Sequence, residues 1–210
     1  MTSARQEILG RVRAALADRP DVPGPAWTYG AAVPTGGQDV VQRFVERAAD
    51  YRATVVRVAA DAVGSAVAKA LTAVGAASVV GDDLVRSRWG CGGPVRWVAD
   101  DGLEAGQLDG VDAVVTTATV AVANTGTIVL DHGPGQGRRA LSLIPDVHVC
   151  VVEAGQIVTD VPEAVARLVD MGSHTRPLTW ISGPSATSDI ELDRVEGVHG
   201  PRTLYVIVVD

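Results

Sequence analysis

Two loops near the end of the sequence hold the residue types that chemistry uses. In Ile181-Ser182-Gly183-Pro184-Ser185-Ala186-Thr187-Ser188-Asp189-Ile190-Glu191, an apolar lead-in breaks around Gly-Pro into a segment with four hydroxyls and two acids. In Gly197-Val198-His199-Gly200-Pro201, a histidine stands just ahead of a second Gly-Pro. Glycine lets a backbone approach a ligand closely, and hydroxyls with free N–H groups hold an oxyanion. Turns alone would account for either loop; the density of polar groups exceeds what turns need. Asp189 and Glu191 leave two readings open. On extended backbone they share a face, so that one carboxyl titrates high enough to act as a general base. On a helix they diverge by about 200°, and Asp189 is then a first-turn residue favoured by the helix dipole.

Two further stretches qualify. Asn124-Thr125-Gly126-Thr127 lies between apolar runs, and either offers two hydroxyls and a bare backbone to an anion or forms a hairpin turn with Asn124 and Gly126 at positive φ. Asp131-His132-Gly133-Pro134-Gly135-Gln136-Gly137-Arg138-Arg139 either closes its twin arginines over a charged substrate or is a surface loop with solvated arginines. It is not a dinucleotide fingerprint, because Pro134 and the residues after it do not open a helix. His148, between two valines, reads as one side of a strand, and His132 and His174 read as loop residues. With no HxH or HExxH spacing, no metal site is expected.

The elements that must position these loops follow from hydrophobic periodicity. Ser3-Ala4-Arg5-Gln6 is a capping-box pattern, and Ile8, Leu9, Val12 and Leu16 recur behind it at helical spacing, ending near Asp18. Prolines and glycines at 19–37 form a linker, so the sequence divides into a helix and linker (1–37) and a main domain (38–210). A helix is expected at 40–51. Strand at 53–58, helix at 60–74, strand at 77–80 and helix at 82–89 then alternate, which implies βαβ units and a parallel sheet. Further strands are expected at 112–117, 120–123, 126–130, 147–152 and 156–158, a helix at 161–170, and strands from Pro177 and Thr203.

Composition narrows the function. The chain has 210 residues, 47% hydrophobic and 20% charged, enough for one domain with a sizeable core. A net charge of −7 opposes nucleic-acid binding. The longest apolar runs are too short for membrane insertion. Cys91 and Cys150 are far apart, so this chain holds no iron–sulfur cluster in the usual way, and the pair suits a reducing cytoplasm.

The run Thr116-Thr117-Ala118-Thr119-Val120-Ala121-Val122-Ala123-Asn124-Thr125-Gly126-Thr127, then Arg138-Arg139 and Ile144-Pro145-Asp146-Val147-His148, resembles the LUD-domain family in its lactate utilization branch. The two loops that open this section are similar to that family's most specific signature. Asn124 departs from the pattern, where an acid or another polar residue is expected. The resemblance implies an open, mostly parallel α/β sheet with helices on both faces, like the NagB/RpiA/CoA-transferase group, preceded by the N-terminal helix. It also implies a role in oxidising L-lactate to pyruvate beside iron–sulfur partner proteins, with no cofactor in this chain.

On that basis the loops at 125–127, 133–139, 183–191 and 197–201 are expected to line one pocket at the carboxyl edge of the sheet. Thr125, Gly126, Thr127, Gly183, Ser185, Thr187 and Gly200 would line it, and Arg138 or Arg139 would pair with a small carboxylate substrate. Glu191 would accept a proton, Asp189 stand beside it, and His199 polarise the substrate. The alternatives are a stand-alone acyl- or CoA-transferring enzyme with Glu191 as nucleophile, and a non-catalytic assembly protein.

Overall fold

The computed structural model describes residues 3–17, 24, 30–90, 94–187, 195–197 and 199–210. The chain forms two compact units, Met1–Ala31 and Ala32–Asp210. In the first, α1 (Ala4–Ala15) starts at the expected capping box: the Ser3 hydroxyl accepts the Gln6 N–H, and the Gln6 side chain accepts the Ser3 N–H. Its apolar residues Ile8, Leu9, Val12 and Leu16 are exposed.

The second unit begins with α2 (Val40–Asp50), capped by Asp39, followed by β1 (Thr54–Val58). A 3-10 turn (Ala60–Ala62) leads into α3 (Val63–Ala73), and β2 (Ser78–Val80), α4 (Asp83–Trp89) and β3 (Arg96–Val98) follow. Next come α5 (Ala105–Asp109), β4 (Ala113–Thr117), β5 (Val120–Val122) and β6 (Thr127–Leu130). The remainder is β7 (Val147–Glu153), β8 (Ile157–Val158), α6 (Val161–Asp170), β9 (Thr179–Ile181), β10 (Ala186–Thr187), β11 (Val195–Glu196) and β12 (Thr203–Val209).

Six strands form an all-parallel sheet in the order β1-β12-β7-β4-β2-β3. The Val-rich runs of β4, β7 and β12 are buried on both faces, as central parallel strands require. Alternate residues sort into two apolar layers. Val149, Val151, Ile207 and Val209 meet α3 and α4 on one face. On the other, Cys150, Val152, Leu204, Val206 and Val208 meet Phe44 and Ala48 of α2 and the inner side of a second sheet. Leu108 of α5 packs on that second face with Val114. The expected α/β sheet with helices on both faces is therefore present.

The second sheet is an addition to that expectation. Its order is β8-β5-β6-β9, with β5–β6 and β6–β9 antiparallel and β5–β8 parallel. Its outer face is covered by α6 through Ala164 and Leu168. Strand β3 and helix α5 also went unanticipated, being only three and five residues long. Among the described residues no helix is long and apolar enough to cross a membrane.

Candidate functional site

A cavity of about 240 Å³ opens between the parallel sheet and the second sheet. His148 and Leu204 form its floor, β9 one wall, and the two Gly-Pro loops its rim. His148 and Leu204 are each the second residue of their strand, so the cavity lies at the amino ends of β7 and β12. The expectation of a pocket at the carboxyl edge is corrected by this placement. Pro201 is followed almost at once by the start of β12, and a loop that feeds a parallel strand reaches it at the amino end.

Ser185 ties the two loops together. Its N–H donates to the Pro201 carbonyl (2.8 Å), its carbonyl accepts the Gly197 N–H (3.2 Å), and its Oγ accepts the His199 N–H (3.0 Å). Beyond it β10 and β11 pair as an antiparallel ribbon, with Thr187 opposite Val195. Gly183, Ser185, His199 and Gly200 thus come together on one rim. Asp189 and Glu191, which follow β10, lie outside the described residues. Gly183 turns the chain at φ 79°, and a Cβ there would stand 2.5 Å from the Tyr51 carbonyl oxygen at the end of α2. Only glycine permits that approach.

The floor carries a polar group deep in the fold. His148 is 1% exposed, and its Nε2 lies 2.7 Å from the Thr116 hydroxyl. Nδ1 has no protein partner among the described residues. Burial lowers the imidazole pKa to about 4, so the ring is neutral at pH 7. Behind it the Thr116 hydroxyl donates to the Cys150 Sγ at 3.6 Å; burial pushes that thiol up to about 12 against the smaller effect of the hydroxyl. Read in the sequence as a mere strand residue, His148 is the site residue that reading missed. The signal was a polar residue in the middle of a valine run, two positions before Cys150.

Thr125, Gly126 and Thr127 do not line the cavity, but they reach it. Thr125 Oγ1 lies 2.7 Å from Thr127 Oγ1, which lies 2.8 Å from Ser182 Oγ on the cavity wall. Gly126 takes φ 63°, as a hairpin turn would require; Asn124 does not have positive φ, and donates instead to the Val33 carbonyl (2.7 Å). A Cβ on Gly126 would meet the Arg47 and Ala48 backbone at 2.6 Å, which seats this turn on α2.

The loop at 131–139 is built into the protein. Asp131 accepts from Thr119 Oγ1 (2.9 Å), Ser173 Oγ (2.7 Å), the Gly133 N–H (3.1 Å) and Arg176 (3.2 Å). Burial works against the Asp131 charge, yet these donors together hold its carboxyl below the ordinary value. Gln136 Oε1 accepts the N–H groups of Asp131 and His132, and the Gly135 N–H donates to Asp82. His132, at φ 56°, sets Nε2 2.8 Å from Thr179 Oγ1, a hydroxyl of the cavity wall. Arg138 is committed elsewhere, with two bonds of 2.8 Å to Asp100 and one to the Leu103 carbonyl. Neither Arg138 nor Arg139 lines the cavity, so the four loops do not share one pocket.

What the cavity offers a ligand is a neutral imidazole, the hydroxyls of Ser182 and Ser185, and the apolar surfaces of Trp180 and Pro184. Among the described residues its lining holds no lysine or arginine. Such a set suits a small hydroxy- or keto-carboxylate held by neutral donors.

Comparison with known proteins agrees with the signature loops. Residues 41–209 match the LUD domain. Over 207 residues, covering 98% of this chain and 95% of the relative, the sequence is 44% identical to lactate utilization protein C of Deinococcus radiodurans. The match to lactate utilization protein C of Bacillus pumilus is shorter, 39% identical over 101 residues, which is 46% of this chain and 42% of that protein. A crystal structure of a DUF162 family protein from Deinococcus radiodurans superposes with a TM-score of 0.70 at 42% identity, covering 81% of this chain and 96% of that one. The chain belongs to the LUD-domain family.

Proposed function

We propose that this protein binds a small carboxylate at the amino-end cavity and serves in lactate utilization, in the cytoplasm, where L-lactate is oxidised to pyruvate beside iron–sulfur partner proteins. The observation that supports this reading best is the cavity built from the signature loops over the neutral, buried His148. The names of the relatives from Deinococcus radiodurans and Bacillus pumilus supply the lactate context.

Chemistry divides the labour. Converting lactate to pyruvate removes two electrons and two protons from the C–OH centre. Side chains can take the protons but have no means of accepting the electron pair, which needs a cofactor. The partners' clusters would supply the electron acceptor, and this chain binds, orients and handles protons. Ser185 Oγ accepts one N–H and keeps its own proton to donate to a carboxylate oxygen. With the Thr116 hydroxyl donating to Cys150 Sγ, the His148 ring proton sits on Nε2 and donates to Thr116 Oγ1, which leaves Nδ1 as an acceptor for the substrate hydroxyl. In this reading Glu191 takes the hydroxyl proton, with Asp189 as the second acid of the same loop, and His199 polarises the substrate oxygen.

The test is equilibrium dialysis of the purified chain with L-lactate and with pyruvate, followed by dye reduction with and without the iron–sulfur partners. We expect saturable binding of at least one acid, weakened about tenfold or more by His148→Leu, and dye reduction only with the partners present. Dye reduction by the chain alone, or binding indifferent to His148→Leu, would overturn the proposal.

A further inference from the structure

The opposite end of the parallel sheet holds a second cavity that the signature loops do not touch, and we infer that it binds a mononucleotide-class ligand, a planar heteroaromatic ring bearing a phosphate. About 330 Å³ in volume, it opens where Thr117, Glu153 and Val209 end β4, β7 and β12. This is the carboxyl edge, where open α/β sheets bind ligands, and the volume falls within the range of small-molecule sites. Val151 and Val209 line it from the α3/α4 face, whereas His148 and Leu204 line the first cavity from the other face. The two sites are thus independent.

Arg88 and Trp89, at the end of α4, wall this cavity. They also wall an adjoining one of about 260 Å³, whose remaining lining includes Leu71, Val95 and Trp97. Thr117, Glu153 and Gln156 bring polar groups to the first chamber among valines, and the second holds Trp97, with a guanidinium and an indole at their boundary. A ligand that fills both needs a flat apolar part joined to an anion. Its ring fits against Trp89 and Trp97, since aromatic surfaces stack. Its phosphate fits Arg88, which makes no hydrogen bond or ion pair among the described residues, unlike Arg138.

The chain around the phosphate position is correspondingly bare. Ala60 and Val63 line the cavity where the chain leaving β1 turns into α3, and neither that 3-10 turn nor α3 has a side-chain cap. The Ala62 N–H is held by the Ala59 carbonyl, so the N–H groups of Ala60 and Asp61 ahead of it are the ones that face Arg88's end of the cavity without a side-chain cap. A Cβ on Gly64 would find only Trp89 Cδ1, at 3.8 Å, so the helix start leaves room. Thr117 supplies a hydroxyl. The Glu153 carboxylate, held by the Gln156 N–H, keeps acceptor capacity for ribose hydroxyls.

The experiment titrates the purified full chain with AMP, ADP and FMN, with adenosine and inorganic phosphate as half-ligands, followed by equilibrium dialysis. We expect at least one nucleotide to bind saturably, and Arg88→Ala and Trp89→Leu each to weaken it roughly tenfold. His148→Leu should leave it unchanged, and thermal melts establish that each variant is folded. The inference is overturned if no nucleotide binds at millimolar concentration, or if binding is indifferent to both substitutions. It is equally overturned if phosphate alone competes as well as the best nucleotide, which would mark a simple anion site.

Discussion

The two ends of the parallel sheet are prepared in opposite ways. At the amino end most polar groups already have partners: Ser185 with three backbone groups of the second loop, Ser182 with Thr127, Thr179 with His132, and His148 with Thr116. At the carboxyl end Arg88 has no partner among the described residues, and the start of α3 has no side-chain cap. A site whose groups are held by one another is preorganised, and any ligand must match what remains. A site with free donors is defined by whatever anion completes them. The lesson is that a sequence signature marks where the backbone had to be unusual, as at Gly183 and Gly126. The topology of an open sheet builds a cavity at its other end without any signature.

Substitutions that treat the two ends differently test this contrast. The largest effect is expected from Gly126→Val, which forces a side chain at φ 63° to within 2.6 Å of the Arg47 and Ala48 backbone. Strain and overpacking together should cost roughly 3 kcal/mol or more, measured by urea unfolding. Its counterpart at the other end, Gly64→Ala, meets no crowding and should stabilise by up to about 1 kcal/mol through helix propensity. Equal losses in both variants would show that the amino end is no more tightly specified than the carboxyl end.

His148 gives the contrast a pH dependence. Its imidazole is lowered from the ordinary 6.5 to about 4 in the folded state. Above pH 6.5 neither state is protonated, and the group costs nothing. As pH falls from 6.5 towards 4 only the unfolded chain takes up the proton, so the fold loses up to ~3 kcal/mol over that window. Chemical denaturation at pH 7 and pH 4.5 should show the loss, and His148→Leu should flatten it. An unchanged slope in the variant would place the acid sensitivity elsewhere.

The smallest effect is expected at Arg138, whose side chain is 42% exposed and pairs with Asp100. Arg138→Ala should cost under about 1 kcal/mol, because surface pairs contribute little. It should also leave carboxylate binding intact, since the buried bonds of Asp131 and Gln136 hold this loop. A loss of lactate or pyruvate binding in this variant would return the loop to the site.

Much of the fold was legible because local signals agreed with the tertiary outcome. Helix α6 begins and ends where Asp160, Pro162 and Gly172 say it should, and the valine runs of β4, β7 and β12 announce central parallel strands. The second sheet was not legible as a sheet, since β8 has two residues and β9 three, too few to show a period. For the site, both Gly-Pro loops stood out, but their shared floor did not. His148 faces the cavity through the register of β7 against β4, which sets it beside Val114 and puts Cys150 beside Thr116. Pairing of that kind joins residues more than thirty positions apart and leaves no local trace.

The order of strands in the large sheet bears on how the protein is made. Strand β12 pairs with β1 on one side and β7 on the other, so the last strand of this sheet in chain order occupies an inner position. Until Thr203–Val209 has left the ribosome, β1 and β7 each present an unpaired, apolar edge. Contacts spanning so much sequence close slowly, and exposed edges are where nascent chains associate wrongly. This protein should therefore depend on protection during translation more than its modest size suggests, and chains terminated before residue 203 should be cleared as aggregates.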